Sequence, residues 1–102
     1  MDLNNLDFIE KEGVHREKDI VIFALSTCGY CKRALAFLDR RAIAYRYIYV
    51  DRIPFETKSE IKEELQRRFK ENVAFPFAVI DGTSHLVGFI EADWILTLDL
   101  KE

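Results

Sequence analysis

Residues 20–31 of the chain are IVIFALSTCGYC. The first six are apolar and mostly β-branched or aromatic, a pattern that favours a strand covered on both faces of its sheet. The last four are Cys28-Gly29-Tyr30-Cys31, and these are the only cysteines among the 102 residues. Because the next segment has helical periodicity, the pair is predicted to lie at the turn from a buried strand into a helix. This strand, turn and helix begin an α/β fold.

The segment after the cysteine pair predicts a βαβ unit. Residues 30–41 form its helix, and residues 44–50, which include three tyrosines, form its second strand. Two strands joined in this way are expected to be parallel, with a right-handed crossover. A second helix then begins at Glu56 or Thr57. Its apolar stripe repeats every four residues, at Ile61, Leu65 and Phe69.

The last third of the chain predicts a hairpin and a final helix. Residues 77–80 and 85–87 form antiparallel strands, and the Asp-Gly-Thr-Ser sequence between them favours a tight turn. The final helix starts at about Glu91 and buries Trp94, Ile95 and Leu98. The order β-α-β-α-β-β-α predicts a four-stranded mixed sheet with helices on both faces.

Length and composition indicate one domain, residues 19–102, preceded by an N-terminal extension, residues 1–18. The extension is compatible with a short helix, an added strand or a loose arm. With 49% apolar residues the chain can bury a core, and its net charge of −3 without a basic stripe argues against nucleic acid. We find no signal-peptide pattern and no apolar run of roughly 20 residues. We therefore expect a cytoplasmic monomer without membrane contact.

The cysteine pair suits thiol–disulfide exchange, which needs an exposed thiolate and a second thiol nearby. Cys28 lies nearer the helix start, where free N–H groups and the positive dipole end favour a thiolate. Cys31, one turn further, is expected to be more buried and less acidic, while Lys32 and Arg33 add positive potential. Two purely structural cysteines or a redox-inert interaction module are the alternatives.

A zinc site is a further alternative for the pair. Such a site needs two more ligands, commonly cysteines or histidines. Only His15 and His85 are available, and they are far apart in sequence. We therefore predict no metal.

Residues 19–100 resemble the glutaredoxins, members of the thioredoxin superfamily. The sequence STCGYCKRA at residues 26–34 is similar to the family's Thr-Cys-Pro-Tyr-Cys site, and Ala74-Phe75-Pro76 is similar to its Thr-Val-Pro, which holds a cis proline. The resemblance implies a thioredoxin-like fold in which Cys28 is the nucleophile and Cys31 the resolving thiol. It also implies that Tyr30 lines the thiol substrate and that Phe75 and Pro76 clamp the substrate backbone.

The resemblance also implies a site for glutathione or another low-molecular-weight thiol, but here the sequence departs from the family. The lysine that pairs with glutathione's carboxylate is replaced by Leu25. The family's Gly-Gly-x-Asp-Asp is replaced by residues 88–92, GFIEA, so that Gly88 and Glu91 remain as binding candidates. Phe89 is expected to hinder access of glutathione. The carboxylate of Glu91 also suits a helix start without any ligand.

At these positions the sequence resembles a second branch of the family, the redoxins that serve ribonucleotide reductase. Members of that branch take electrons from thioredoxin reductase. That branch shares Gly88-Phe89 and the stretch VDRIP at residues 50–54, but not Gly29-Tyr30 or an Arg-Pro-Asp after Gly-Phe. A third branch, with a non-proline residue where Gly29 stands, binds a [2Fe–2S] cluster between two subunits. We predict a dithiol–disulfide oxidoreductase without a tightly bound cofactor. Its partners are disulfide-containing proteins, with glutathione or thioredoxin reductase as the electron source.

Overall fold

A mixed β-sheet forms the centre of the computed structural model, which describes residues 1–100. Residues 101 and 102, the end of the predicted domain, lie outside the described residues. The strands are β1 (Ile9–Lys11), β2 (Ile20–Ala24), β3 (Tyr45–Tyr49), β4 (Phe77–Ile80) and β5 (Ser84–Val87). The helices are α1 (Gly29–Arg40), α2 (Phe55–Phe69) and α3 (Glu91–Thr97), with short 3-10 turns at Leu3–Asn5 and Val50–Arg52.

The strand order in the sheet is β1-β3-β2-β4-β5. The βαβ prediction is confirmed, because β2 and β3 are parallel neighbours. The hairpin prediction is also confirmed, since β4 and β5 are antiparallel, and β4 runs antiparallel to β2 on the other side. The carboxyl end of β2, where the cysteine pair begins, therefore lies at the middle of the sheet.

The predicted number of four strands is wrong, because β1 adds a fifth. This strand pairs antiparallel with β3, with Ile9 opposite Tyr47. All three of its residues are exposed, so the segment has no buried alternation that would predict a strand. Its strand conformation depends instead on the hydrogen-bonding edge that β3 offers.

The N-terminal extension contains both a short helical turn and an added strand. Leu3 is buried in the cluster under α2, which includes Ile61 and Leu65. Further along, a Cβ on Gly13 would lie 2.6 Å from the carbonyl oxygen of Ala42, so only glycine allows this close backbone approach. The extension thus packs against the rest of the domain at Leu3, through β1 and at Gly13.

Side chains of β2 alternate between two cores, which explains its unbroken apolar sequence. Ile20, Ile22 and Ala24 belong to the cluster that α1 and α3 cover. Val21 and Phe23 belong to the cluster that α2 covers. Helices on both faces are therefore confirmed. Within residues 1–100, no helix is long and apolar enough to cross a membrane.

Candidate active site

The cysteine pair lies where β2 ends and α1 begins, as the sequence predicts. Cys28 is the residue that caps α1, with the extended backbone angles φ −92° and ψ 122°. Its Sγ accepts a hydrogen bond from the backbone N–H of Cys31 at 3.3 Å. A sulfur at this position meets the unpaired N–H groups of the first helical turn, which stabilise negative charge.

The two sulfurs lie in different environments. Cys31 is completely buried, whereas Cys28 is only partly covered. The Sγ of Cys31 accepts a hydrogen bond from the backbone N–H of Leu25 at 3.4 Å. Both thiols are free rather than joined in a disulfide. The pair thus presents one accessible sulfur and one sulfur enclosed behind it.

The pKa values of the two thiols move in opposite directions. Burial acts to raise the pKa of Cys28. Hydrogen bonds from Cys31 and from the N–H of Tyr30 outweigh burial, together with the charge of Arg33, so the pKa lies below its ordinary value. Burial is the main cause that raises the pKa of Cys31 to about 12, and the neighbouring Cys28 and the Asp51 carboxylate act in the same direction. Of the two thiols, therefore, Cys28 ionises at the lower pH.

The loop before β4 contacts the accessible sulfur. The Phe75–Pro76 peptide bond is cis, as the resemblance implies. Sγ of Cys28 lies 3.9 Å from the carbonyl oxygen of Phe75, although 47 residues separate them. Pro76 is fully buried, and its carbonyl oxygen accepts the N–H of Gly88 at 2.8 Å. Phe75, Pro76 and Gly88 are thereby joined to the cysteine site.

The segment 88–91 is fixed against α3. Gly88 has a φ of +77°, and its carbonyl oxygen accepts the indole N–H of Trp94 at 3.0 Å. The ring of Phe89 packs against Phe37 at 5.5 Å and against Trp94 at 5.3 Å between ring centroids. The ring of Phe89 thus packs against the cluster under α1 and α3, and the expectation that Phe89 hinders access of glutathione stays a prediction. Glu91 begins α3 with an exposed side chain.

Positive charge near Cys28 comes from α1. Tyr30 is 57% exposed, and the guanidinium of Arg33 lies 4.9 Å from the centre of its ring. Leu25, where the family carries its lysine, is partly buried and packs against both core clusters. The side chain at that position therefore contributes apolar packing and no charge.

Asp51 belongs to the site although its sequence context did not predict a role for it. One of its carboxylate oxygens accepts the backbone N–H of Ser26 at 2.9 Å, and the other accepts the Ser26 hydroxyl at 2.5 Å. These bonds tie the 3-10 turn after β3 to the loop that leads into Cys28. The only signal in the sequence was the Val-Asp-Arg-x-Pro pattern.

The two histidines are engaged elsewhere. Nδ1 of His15 lies 3.7 Å from a carboxylate oxygen of Glu17, and Nε2 of His85 lies 2.5 Å from a carboxylate oxygen of Glu71. His85 also stacks on Phe77, with 5.6 Å between the ring centroids. Among residues 1–100, no three or more His, Cys, Asp and Glu side chains are grouped so that they could hold a metal ion.

A central mixed sheet, a dithiol at the strand-to-helix turn and a cis-proline loop beside it define a thioredoxin-like α/β domain with a redox-active Cys-x-x-Cys site. The glutaredoxin family model matches residues 20–85, which is more than half of the chain. The chain belongs to the glutaredoxin family.

Solved structures agree with this assignment. Glutaredoxin from Methanosarcina mazei Go1 is 27% identical with a TM-score of 0.76, and the match covers 95% of this chain and 94% of that one. Methanoredoxin from Methanosarcina acetivorans is 28% identical with a TM-score of 0.71, covering 84% and 88%. The glutaredoxin of Archaeoglobus fulgidus is 26% identical with a TM-score of 0.68, covering 80% and 87%. Comparison with curated protein sequences gives no match.

Proposed function

We propose that this protein is a dithiol–disulfide oxidoreductase that reduces protein disulfides and mixed disulfides. The observation that carries the proposal is the contrast between two sulfurs three residues apart. The accessible one, on Cys28, has a lowered pKa, and the buried one, on Cys31, has a raised pKa. An attacking thiolate and a protonated resolving thiol need these two states.

The reaction has two exchange steps. The Cys28 thiolate attacks one sulfur of the substrate disulfide, so that a mixed disulfide forms and the other substrate sulfur leaves as a thiolate that takes up a proton. Cys31 then loses its proton to solvent and its sulfur attacks Cys28, releasing the second substrate thiolate. The substrate is reduced, and the cysteine pair is oxidised to an internal disulfide.

Neighbouring groups support binding of an extended substrate at this site. The ring of Tyr30, two residues after Cys28, is exposed and has the guanidinium of Arg33 over it. The backbone carbonyl of Phe75, beside Pro76, lies 3.9 Å from the Cys28 sulfur. Gly88, which lies between β5 and α3, and Glu91, the first residue of α3, are our further candidates for contact with a thiol substrate.

Glutathione, another low-molecular-weight thiol and thioredoxin reductase are the candidate electron donors. Because Leu25 carries no charge, glutathione would have to place its carboxylate against another cation, and Arg33 is the cation that acts on Cys28. The proposed partners on the substrate side are disulfide-containing proteins. We propose that the protein works as a cytoplasmic monomer, which sedimentation can check.

Steady-state reduction of a mixed disulfide tests the proposal in parallel assays. One assay supplies glutathione with glutathione reductase, a second supplies thioredoxin reductase, and a third supplies dithiothreitol alone. We expect turnover in the third and in at least one of the other two, and none from Cys28→Ser. Absence of turnover in all three would overturn the proposal in favour of a redox-inert module. Visible absorption after anaerobic purification with glutathione would instead indicate the [2Fe–2S] alternative.

A further inference from the structure

The contact between Asp51 and Ser26 joins two parts of the chain that meet only at the carboxyl end of the sheet. Both carboxylate oxygens of Asp51 are used, one by the N–H of Ser26 and the other by its hydroxyl. Hydrogen bonds to an ionised carboxylate are stronger than those between neutral groups. An exposed side chain held at two points in this way fixes the position of the Ser26 backbone.

Ser26 is one peptide unit from the backbone groups that contact both cysteines. The N–H of Leu25 donates to the Sγ of Cys31 at 3.4 Å. The carbonyl oxygen of Leu25 accepts the N–H of Cys28 at 3.3 Å. The position of the Leu25 peptide therefore affects where both sulfurs lie. Asp51 restrains this peptide through Ser26.

The charge of Asp51 acts on the same pair. Burial and then the neighbouring Cys28 raise the pKa of Cys31, and the Asp51 carboxylate adds to them, while the Leu25 N–H opposes. The hydrogen bonds from Ser26 hold the pKa of Asp51 itself below its usual range. Asp51 is therefore ionised throughout the pH range of thiol chemistry. Tyr49 on β3 is another titratable group near the pair: burial is the main cause that raises its pKa, and Cys31 acts in the same direction.

We infer that Asp51 is a positioning residue for the second exchange step: through Ser26 it holds the turn of residues 25–28 so that the Cys31 sulfur can close onto Cys28. This inference rests on the proposed function. The step it assists breaks the bond between Cys28 and the substrate sulfur and forms the Cys28–Cys31 disulfide. The Cys31 proton goes to solvent, and the leaving thiolate takes up another.

Ring closure can be measured directly with the chromogenic disulfide dithiobis-nitrobenzoate. Attack by Cys28 releases one coloured thiolate at a rate that depends on reagent concentration. Closure by Cys31 releases a second one at a rate that does not. Stopped-flow absorption therefore separates the two steps in the full-length protein. The first rate serves as an internal reference, because Asp51 is proposed to act on the second.

Three variants isolate the contributions of Asp51. We expect Asp51→Ala to slow ring closure roughly tenfold, the effect of losing hydrogen bonds to a charged group. Ser26→Ala, which removes one of the two bonds, should slow it less. Asp51→Asn keeps an acceptor oxygen for Ser26 and should restore most of the rate. In all three the concentration-dependent step should change less than ring closure does, because the Cys28 sulfur is also held by the N–H of Cys31.

Asp81→Asn is the matched control. Its carboxylate accepts the backbone N–H of Asp19 at 2.8 Å, so it makes a similar contact at the opposite end of β2. Asp81 has a φ of +54°, a conformation that asparagine tolerates well. We expect both steps to keep their wild-type rates in this variant.

A second readout separates the charge of Asp51 from its hydrogen bonds. In a Cys28→Ser background, the pH profile of Cys31 alkylation should move to lower pH in Asp51→Asn, because a repelling negative charge is removed. It should stay in place in Ser26→Ala. The movement should shrink in high salt, where exposed charges are screened. A role confined to folding would not produce this pattern.

The inference is overturned if Asp51→Ala closes the ring as fast as Asp81→Asn. Should Asp51→Ala unfold, wild-type closure rates in both Ser26→Ala and Asp51→Asn, together with an unmoved Cys31 pH profile, would overturn it as well. Failure of the proposed function looks different. In that case the wild-type protein itself would give no second release of coloured thiolate.

Discussion

The carbonyl oxygen of Phe75 lies 3.9 Å from the Sγ of Cys28. This contact places the cis-proline loop directly beside the helix cap that carries the accessible sulfur. The same sulfur receives the N–H of Cys31, so a single atom connects two segments of the site. The backbone of Phe75 therefore lies next to the accessible sulfur.

The two cysteines should differ in their roles. We expect Cys28→Ser to lower disulfide reduction at least about a hundredfold, because a serine hydroxyl ionises far less readily than a cysteine thiol and cannot form a disulfide. Cys31→Ser should retain activity on mixed disulfides with glutathione, which need only the accessible thiol. Coupled assays on both variants measure this. Equal loss in the two variants would contradict the assigned roles.

Alkylation of Cys28 should depend on Arg33. The positive charge is one of the causes that lower the Cys28 pKa, after the hydrogen bonds that outweigh its burial. Arg33→Gln should therefore move the pH profile of iodoacetamide alkylation to higher pH, with less thiolate at neutral pH. Arg40→Gln, at the far end of the same helix, is the control and should leave the profile in place. Identical profiles for the two variants would exclude an effect of Arg33.

Substitution of Gly88 should destabilise the protein, because its backbone has a positive φ. An alanine there would keep the φ of +77°, which costs a non-glycine residue about 1 kcal/mol. Apart from the two neighbouring residues in the chain, no atom lies within 4 Å of the added Cβ, so the loss in free energy of unfolding should be confined to that strain. Gly29→Ala, which also has open space but a φ outside the left-handed region, is the control. Urea denaturation should show Gly88→Ala as the less stable variant.

Leu3 should contribute to stability although it precedes the predicted domain. Its side chain is 6% exposed, within the cluster under α2. Leu3→Ala should lower the free energy of unfolding by about 2 to 3 kcal/mol, as for other buried leucines. The control is Leu96→Ala, because Leu96 is 81% exposed and should change stability by less than about 0.5 kcal/mol. Denaturation followed by Trp94 fluorescence measures both, and similar values would refute the packing of the extension.

Glu64 should make stability depend on acid pH. Burial acts to raise its pKa, but Arg67, the N-terminal ammonium and Arg68 outweigh burial, so the pKa in the folded state lies below its ordinary value. The stabilisation is then complete above the unfolded pKa of about 4.3 and is lost as the pH falls through the lower folded pKa.

The stability advantage of wild type over Glu64→Gln should accordingly shrink as the pH falls below about 5. Urea denaturation over a pH series measures it. Glu63→Gln, which alters an exposed neighbour, is the matched control and should show no such change. A constant difference between wild type and Glu64→Gln at all pH values would argue against the ion pairs.

Much of the fold was predictable from local patterns. The apolar run at residues 20–25 predicts β2 because a central strand is covered on both faces. The apolar residues Ile61, Leu65 and Phe69, spaced four positions apart, predict α2. The Asp-Gly turn predicts the hairpin. β1 was not predictable, because its three exposed residues become a strand only when β3 provides the partner edge.

The sequence by itself determined the chemistry: two cysteines, three positions apart, at a strand-to-helix turn indicate thiol exchange. Spacing along the chain is enough for this, because one helical turn brings the Cys31 N–H to the Cys28 sulfur. Only the tertiary structure decided which distant groups surround the pair. Asp51 reaches Ser26 across 25 residues, and Phe75 reaches Cys28 across 47. Such contacts form because the β2-α1-β3 crossover and the strand order of the sheet bring separate loops to one edge. Local sequence patterns do not predict them.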